Sequence, residues 1–314
     1  MPEWIVEHGI GESRTARIEG DEIVEARILL ENSARAGTRL LARLKTVGRP
    51  AVAEVDGQEY LLPKGAPTVT QGATLTIEVT REAIPGAEPW KRPLATVASE
   101  VSSLPPTFDA RTIPFPAPND ELGHAGWWDL LEEARSGVVR FPGGELRISP
   151  TPAMTLIDVD GHVAPFELAI AGARAAARSI LRFDIGGSIG IDLPTVSGKA
   201  QRQEIGSAID ANLPQPFERT GVNGFGFVQI VRPRCRASLV ELAQDRAAFE
   251  ARALLRRAAF EASGAKRLAA HPAVIAMLES KSDWLEALAR QIGGAVALRA
   301  DAALPISGAY AEKL

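Results

Sequence analysis

The 314-residue chain is poor in cysteine, lysine and aromatic residues, and these shortages exclude several classes of protein. Its single cysteine, Cys235, has no partner for an intramolecular disulfide and cannot build a cysteine-cluster zinc site within one chain. No apolar run reaches the ~18 residues of a membrane-spanning helix, and the N-terminus carries no basic-then-apolar leader. We therefore expect a cytoplasmic protein with no membrane partner.

The chain has no overall electrostatic attraction to nucleic acid, because its net charge is −4 and its isoelectric point is near 5.7. The basic residues are nevertheless unusual, since only seven of the 35 are lysines. The planar arginine fork suits phosphate and base contacts better than lysine does. A GC-rich genome would produce the same bias, so both explanations remain open at this point.

Apolar periodicity and turn signals divide the chain into five parts. Opening strands fill 1–36, and the short β segments of 37–98 indicate a small five-stranded barrel of the OB type. The proline-rich stretch 99–126 is typical of an irregular connector. Strands and helices alternate over 127–236, as in a sheet covered by helices, and 237–314 is mainly helical with a closing strand.

Two apolar strand-like segments each carry an aspartate near their end. "TLIDVDG" at 155–161 contains Asp158, and "GGSIGIDLP" at 186–194 contains Asp192. An amphipathic helix over 164–183 separates them, which indicates a crossover connection between the two strands. Polar groups collect at strand ends in such sheets.

These two aspartates admit two interpretations. Carboxylates that face each other repel unless a cation lies between them, and Mg²⁺ prefers hard oxygen ligands, usually one or two protein carboxylates. A metal held in this way polarises a phosphodiester and lowers the pKa of a bound water. Alternatively, each aspartate caps the turn or helix that follows, which is a common role of Asp. The pattern alone leaves both open.

At these residues the chain resembles the ribonuclease E/G family of endoribonucleases. The family pattern T-[hydrophobic]-I-D-V-N is matched by "TLIDVDG", and R-x-x-G-G-x-I-x-I-D-F is matched by "RFDIGGSIGIDL". The preceding hairpin, the intervening helix and "FGFVQIVRPR" also match, so that the resemblance covers nearly the whole chain. It implies an α+β or α/β fold, in which an RNase H-like catalytic domain carries an inserted S1-like OB-type β-barrel and a helical C-terminal part.

The resemblance also implies roles for individual residues. Asp158 and Asp192 would hold the catalytic Mg²⁺, for which Mn²⁺ is an alternative. Asp160 stands where the family has an asparagine that orients the scissile phosphate, and Arg219 lies near the position of a basic catalytic helper.

Three further basic residues are candidates for contact with RNA, although each could equally be an ordinary solvated surface charge. Lys91 matches a basic position of the family's barrel, and Lys199 and Arg202 open the helix after Asp192, where they can contact the phosphate backbone. The barrel positions that usually present rings for base stacking carry Glu54 and Leu61 instead. Tyr60 is nearby and fits a core position equally well.

The chain departs from the family in three ways. The paired-cysteine zinc link has no counterpart, so we expect neither structural zinc nor a zinc-linked dimer. The 5′-monophosphate sensor region is much shorter than in the family. A Gly/Arg-rich loop before the helix at 164–183 is absent, and that loop contributes to RNA handling in the family.

The sequence therefore predicts a Mg²⁺-dependent endoribonuclease that cleaves single-stranded RNA and leaves a 5′-phosphate. One alternative is a non-catalytic RNA-binding protein on the same fold, because Asp160 replaces asparagine and loops are trimmed. The other is a metal-dependent phosphoesterase with a different substrate, in line with the acidic isoelectric point. Salt-dependent binding of single-stranded RNA separates this last alternative from the other two.

Overall fold

The computed structural model describes residues 3–31, 33–85, 91–99 and 109–314. The chain divides into two compact units. The first comprises Met1–Glu31, Ala110–Ser136 and Leu242–Leu314, and the second comprises Asn32–Asp109 and Gly137–Glu241. Residues 86–90 of the predicted barrel and 100–108 of the predicted connector lie outside the described residues.

Strands and helices account for most of the described residues. The strands are β1 (Glu3–His8), β2 (Glu12–Glu19), β3 (Glu22–Leu30), β4 (Arg39–Thr46), β5 (Ala51–Val55), β6 (Gln58–Leu62), β7 (Thr74–Arg81), β8 (Leu94–Val97), β9 (Arg111–Ile113), β10 (Val138–Phe141), β11 (Gly144–Pro150), β12 (Thr155–Gly161), β13 (Gly187–Asp192), β14 (Glu218–Arg219), β15 (Phe227–Arg232), β16 (Lys266–Ala270), β17 (Val296–Ala300) and β18 (Tyr310–Lys313). The helices are α1 (Glu121–His124), α2 (Trp127–Ser136), α3 (Pro165–Arg182), α4 (Lys199–Asn212), α5 (Leu239–Leu242), α6 (Arg246–Phe260), α7 (Pro272–Glu279) and α8 (Ser282–Ile292). In this described part of the chain, every helix is too short or too polar to cross a membrane.

The first unit contains two small sheets. The opening strands form an antiparallel meander that β9 extends by parallel pairing with β1, in the order β3-β2-β1-β9. The second sheet has the order β17-β16-β18. Its apolar face packs with α6, α7 and α8 around one core, which includes Leu254, Leu268, Val274 and Leu288.

Three strands of this unit differ from the sequence expectation. Strand β9 lies in the region predicted as an irregular connector, and β16 and β18 lie in the region predicted as helical with one closing strand. Each has three to five residues, too few for alternation to stand out from the flanking pattern. Pairing with strands distant in the sequence stabilises them, so their conformation is decided by tertiary contacts.

The predicted barrel is present in the second unit. Strands β4, β5, β6, β8 and β7 close into a five-stranded barrel in that order. Residues at alternate positions of these strands point inward, as the period of two requires. They form a buried core that includes Leu44, Leu62, Ile77 and Tyr60.

A six-stranded mixed sheet forms the rest of the second unit, in the order β10-β11-β12-β13-β15-β14. The first three strands are an antiparallel meander, and β13 lies parallel to β12. A parallel neighbour requires a crossover, which α3 provides as predicted. The fold is thus a mixture of α and β structure, with a closed barrel and a helix-covered sheet.

Helix α3 covers one face of this sheet. Its buried residues include Leu168, Ala169, Ala173 and Ala177. Gly172 lies against Val159 of β12, where a Cβ atom would fall 2.3 Å from the valine Cγ1. The glycine therefore lets the helix approach the strand that carries Asp158.

An ionic contact joins the end of the barrel to the sheet within the second unit. Glu82 follows β7, and its backbone N–H donates to the carbonyl of Cys235 over 2.8 Å. Arg236 lies 3.6 Å from Glu82 and donates to Asp184 over 2.8 Å. Partial burial raises the pKa of Glu82, and the Arg236 cation opposes that rise.

Candidate carboxylate site on the exposed sheet face

The crossover brings Asp158 and Asp192 side by side. They are direct partners in the parallel pairing of β12 with β13, and neighbouring strands lie about 4.8 Å apart. Both side chains are exposed, whereas Ile157 and Ile191 beside them are buried on the helix-covered face. Strand alternation therefore places the two carboxylates together on the open face of the sheet.

Neither aspartate caps the helix that follows it. The N-cap of α3 is Ala164 and that of α4 is Gly198. Asp158 lies inside β12 and Asp192 is the last residue of β13. The helix-capping interpretation of these residues is therefore wrong.

A third carboxylate and a guanidinium complete the cluster. Asp160 lies two residues after Asp158 and so shares its face, and Arg147 of β11 is the direct partner of Asp158. Arg147 pairs with Glu145 over 2.8 Å and lies 3.8 Å from an Asp160 oxygen. Arg147 was not predicted from the sequence, although the hairpin register with β12 would have identified it as the facing cation.

The surroundings of Asp158 raise the pKa of its carboxyl group. Partial burial, followed by the charges of Asp160 and Asp192, raises the pKa of Asp158. A backbone N–H at Val159 and the Arg147 cation act in the opposite direction. The open face thus holds an excess of negative charge that a bound cation would relieve.

The described residues, 3–31, 33–85, 91–99 and 109–314, contain no group of three or more His, Cys, Asp or Glu side chains that could hold a metal ion. A pair of carboxylates is enough for Mg²⁺, which usually takes one or two and fills its remaining positions with water and substrate phosphate.

A shallow cavity of about 380 Å³ opens beside the cluster. Asp160 forms part of its wall, together with Arg140 of β10 and His162 after β12. Gly143, Gly144 and Gly161 also line it. A Cβ at Gly161 would fall 2.4 Å from the Gly143 carbonyl oxygen, so these glycines allow close packing of the hairpin end.

The structure does not bring Arg219 to the carboxylates. Arg219 is the partner of Ile230 in the pairing of β14 with β15, and Ile230 is buried on the helix-covered face. The guanidinium donates to both carboxylate oxygens of Asp210 on α4, over 2.7 and 2.6 Å. Strand alternation therefore directs Arg219 to the face opposite Asp158 and Asp192, which is a correction to its expected place in the catalytic group.

Lys199 and Arg202 lie with Arg219 on that opposite side. The three line one cavity of about 640 Å³, together with Gln203, Gly206, Ser207, Gly221 and Val222. Arg202 donates to the carbonyls of Val196 and Ser197 over 3.1 and 3.0 Å. The predicted RNA-contacting residues of α4 thus form a basic group separate from the carboxylates.

Lys91 lies at the other end of β12. Its ammonium group is 3.5 Å from the carbonyl oxygen of Pro152, in the turn that precedes Thr155. Lys91, which precedes barrel strand β8, therefore meets the hairpin that carries Asp158. Tyr60, by contrast, is buried in the barrel core and presents no ring to the surface.

Two phenylalanines beside Asp192 were not singled out from the sequence. Phe227 is the direct partner of Asp192 across β13 and β15. Its ring lies over Gly190, where a Cβ would fall 2.6 Å from the ring edge. Phe225 precedes it in a turn and is 81% exposed. The "NGFGF" pattern, with two aromatic residues among turn residues, is the signal that could have identified them.

Comparisons with known proteins add no assignment. No protein-family model matches the chain, and no curated protein matches it significantly.

Proposed function

We propose that this protein is a Mg²⁺-dependent endoribonuclease that cleaves single-stranded RNA and leaves a 5′-phosphate. The observation that carries the proposal is the register of Asp158 with Asp192, which sets two carboxylates side by side on an exposed face of a sheet. The buried neighbours Ile157 and Ile191 anchor both strands in the core, and both carboxylates are exposed. The pair is thus open to a large, anionic polymer.

The donor set fits the proposed metal. Asp158 and Asp192 offer hard oxygen ligands whose mutual repulsion favours a divalent cation between them. Mg²⁺ or Mn²⁺ bound there would polarise the phosphodiester and lower the pKa of a bound water. Asp158 and Asp192 would act as its ligands.

The surrounding residues have roles that do not depend on the metal. Arg147, across from Asp158, can bind a phosphate oxygen and offset negative charge that develops during cleavage. Asp160 would orient bound RNA through the guanidinium of Arg147, since it lies 3.8 Å from that side chain.

RNA binding would extend to the barrel and to α4. We propose that the closed barrel is S1-like and the sheet RNase H-like, with Lys91 contacting phosphate where barrel and hairpin meet. Lys199 and Arg202 would contact the phosphate backbone on the opposite side of the sheet. Arg219 lines the same cavity and pairs with Asp210. These contacts position the strand without reading its bases.

Cleavage of a short, fluorescent, single-stranded, AU-rich RNA tests the proposal. The wild type should cut in Mg²⁺ and not in EDTA, and the Asp158→Asn, Asp192→Asn double variant should lose activity by at least about a hundredfold. Asp283→Asn, which removes an exposed carboxylate of α8, is the matched control and should keep full activity. Joining the product to an adaptor with a ligase that accepts only a 5′-phosphate identifies the group that cleavage leaves at the 5′ end.

Two results would contradict the proposal. RNA that the wild type binds and leaves intact would indicate a non-catalytic RNA-binding protein. Absence of salt-dependent RNA binding would direct attention to other phosphoesters.

A further inference from the structure

Phe225 presents its ring to solvent beside the carboxylate site. It is 81% exposed, more than any other large apolar residue in the described part of the chain. Single exposed apolar residues are common on proteins. Phe225 differs because hydrogen bonds of the surrounding turn fix its backbone.

The turn is fixed by four hydrogen bonds, all of which involve Asn223. The Asn223 Oδ1 atom accepts from the backbone N–H groups of Phe225 and Phe227, over 2.9 and 3.0 Å. The Asn223 N–H donates to the Phe227 carbonyl over 3.0 Å, and the Gly226 N–H donates back to Asn223 over 3.2 Å. Phe225 thus stands at the tip of a closed, four-bond turn.

The same turn lies against the chain that follows Asp192. Gly226 has φ +91, and a Cβ there would fall 2.1 Å from the Leu193 carbonyl oxygen. The Leu193 N–H donates to Gly226 over 3.3 Å, and the Thr195 hydroxyl donates to the Phe225 carbonyl over 3.1 Å. The backbone that carries the exposed ring is therefore hydrogen-bonded to the segment that follows Asp192.

The distance from the site suits a neighbouring nucleotide. Phe225 is two residues before Phe227, the direct partner of Asp192, so its Cα lies within about 13 Å of the Asp192 Cα. At the ~3.4 Å spacing of stacked nucleotides, this corresponds to about four nucleotides or fewer. A ring at that distance reaches the bases that flank a phosphate at Asp158 and Asp192.

The barrel offers no alternative ring among its described residues. Within 33–85 and 91–99 the aromatic side chain is Tyr60, which is buried. Stacking of unpaired bases requires an exposed, oriented aromatic face. Phe225 supplies an exposed ring on a fixed backbone, and Phe227 and Leu156 add apolar surface at Gly190 of the neighbouring strand.

We propose that Phe225 is a stacking platform for an unpaired nucleobase next to the phosphate that is cleaved. This rests on the proposed function, because the ligand is the single-stranded RNA of that site. The ring would favour unpaired over base-paired substrate, since a base within a duplex is stacked on its neighbours. It would tolerate every base, because each has a π face.

Fluorescence of 2-aminopurine tests the stacking directly. The base analogue is placed at successive positions of a short single-stranded RNA and titrated with protein that carries Asp158→Asn and Asp192→Asn. With Phe225 present, quenching should be strongest at one position. In the same background Phe225→Leu should remove that quenching and weaken binding about five- to hundredfold, and Phe225→Trp should retain both.

Val231→Ala is the matched control, because Val231 is an exposed apolar residue of the same strand, β15. It should leave quenching and affinity unchanged. Equal quenching in Phe225→Leu, or equal loss in Val231→Ala, would overturn the platform. A Phe225-dependent dimer in sedimentation experiments without RNA would also overturn it and reassign the ring to contact between two copies.

The binding readout separates this inference from the proposed function. Phe225-dependent quenching by a protein whose wild type does not cut RNA would retain the platform and refute the nuclease. Cutting by Phe225→Leu with unchanged KM and kcat would refute the platform alone.

Discussion

At the scale of single residues, repulsion between neighbouring carboxylates is the main feature of the open sheet face. Asp158 lies beside Asp160 and Asp192, and Arg147 is the facing cation. Because partial burial and these neighbours raise its pKa, Asp158 destabilises the folded state once it is ionised. The penalty is absent below the unfolded-state pKa of about 3.9. It grows as the pH rises through the folded-state pKa and is complete above that value.

Asp158→Asn should therefore stabilise the metal-free protein at neutral pH. We expect a rise in Tm of roughly 1–3 °C at pH 7.5 in EDTA, since like charges on adjacent strand positions are destabilising. The rise should decrease as the pH falls through the folded-state pKa and disappear below the unfolded-state pKa of about 3.9. Thermal unfolding followed by circular dichroism measures both.

Mg²⁺ provides the companion measurement. The wild-type Tm should increase across a Mg²⁺ titration, and the Asp158→Asn Tm should respond less. Asp283→Asn should behave as the wild type in both series. A lower Tm for Asp158→Asn at pH 7.5 would show that the carboxylate is stabilising and would contradict the charge argument.

At the scale of elements, the packing of α3 on β12 holds the carboxylate strand in place. Gly172 of the helix meets Val159 of the strand, and Val159 stands between Asp158 and Asp160 in the chain. A larger residue at either position would push helix and strand apart. The site therefore depends on a small residue on the buried side of the sheet.

Gly172→Ala should destabilise the fold, although alanine favours a helix by about 1 kcal/mol. The added Cβ would fall 2.3 Å from Val159 Cγ1, and overpacking of this kind costs about 1–3 kcal/mol. Urea unfolding should show a lower midpoint. Gly221→Ala is the control, because a Cβ there meets nothing within 4 Å.

A double-mutant cycle assigns the effect to the contact. Val159→Ala removes the methyl groups that the new Cβ meets, so the Gly172→Ala, Val159→Ala variant should lose less stability than the sum of the singles. We expect a coupling of about 0.5–3 kcal/mol. Strict additivity would refute the steric explanation.

At the scale of the whole molecule, buried ion pairs connect distant segments of the chain within the first compact unit. The first unit carries a buried ionic cluster centred on Arg256, which is fully buried. Arg256 donates to Glu7 over 3.0 and 3.2 Å and to Asp120 over 3.0 and 2.5 Å. Arg14 donates to Glu7 over 2.7 Å. The cluster connects β1, β2, α6 and the start of α1 within that unit.

Arg256→Met should destabilise the first unit by about 3–5 kcal/mol, because it leaves buried carboxylates with too few cations. Chemical denaturation followed by tryptophan fluorescence measures the loss, since Trp128 lies against the Arg256 guanidinium. Arg290→Met is the control. Its partner is 3.8 Å away and both side chains are exposed, so its effect should be within about 0.5 kcal/mol. Equal effects would contradict the burial argument.

Much of the architecture could be predicted from local pattern. The closed barrel within 37–98, the hairpin before Asp158 and the helix between the two aspartates all occur as expected, because each depends on alternation, turn residues or helical period within a short segment. The strands β9, β16 and β18 could not be predicted in this way. They are short and are stabilised by neighbours distant in the sequence.

The chain by itself determined that Asp158 and Asp192 stand in apolar strands joined by a helix, since strand period and crossover length are local properties. Asp192 ends its strand as expected, whereas Asp158 lies in the middle of β12 because the strand continues to Gly161. Only the tertiary structure decided which face of the sheet each side chain occupies. It set Arg147 beside the carboxylates, turned Arg219 toward Asp210, and left Phe225 exposed on a fixed turn. Alternation defines two faces, but the packing of α3 on one of them determines which remains open.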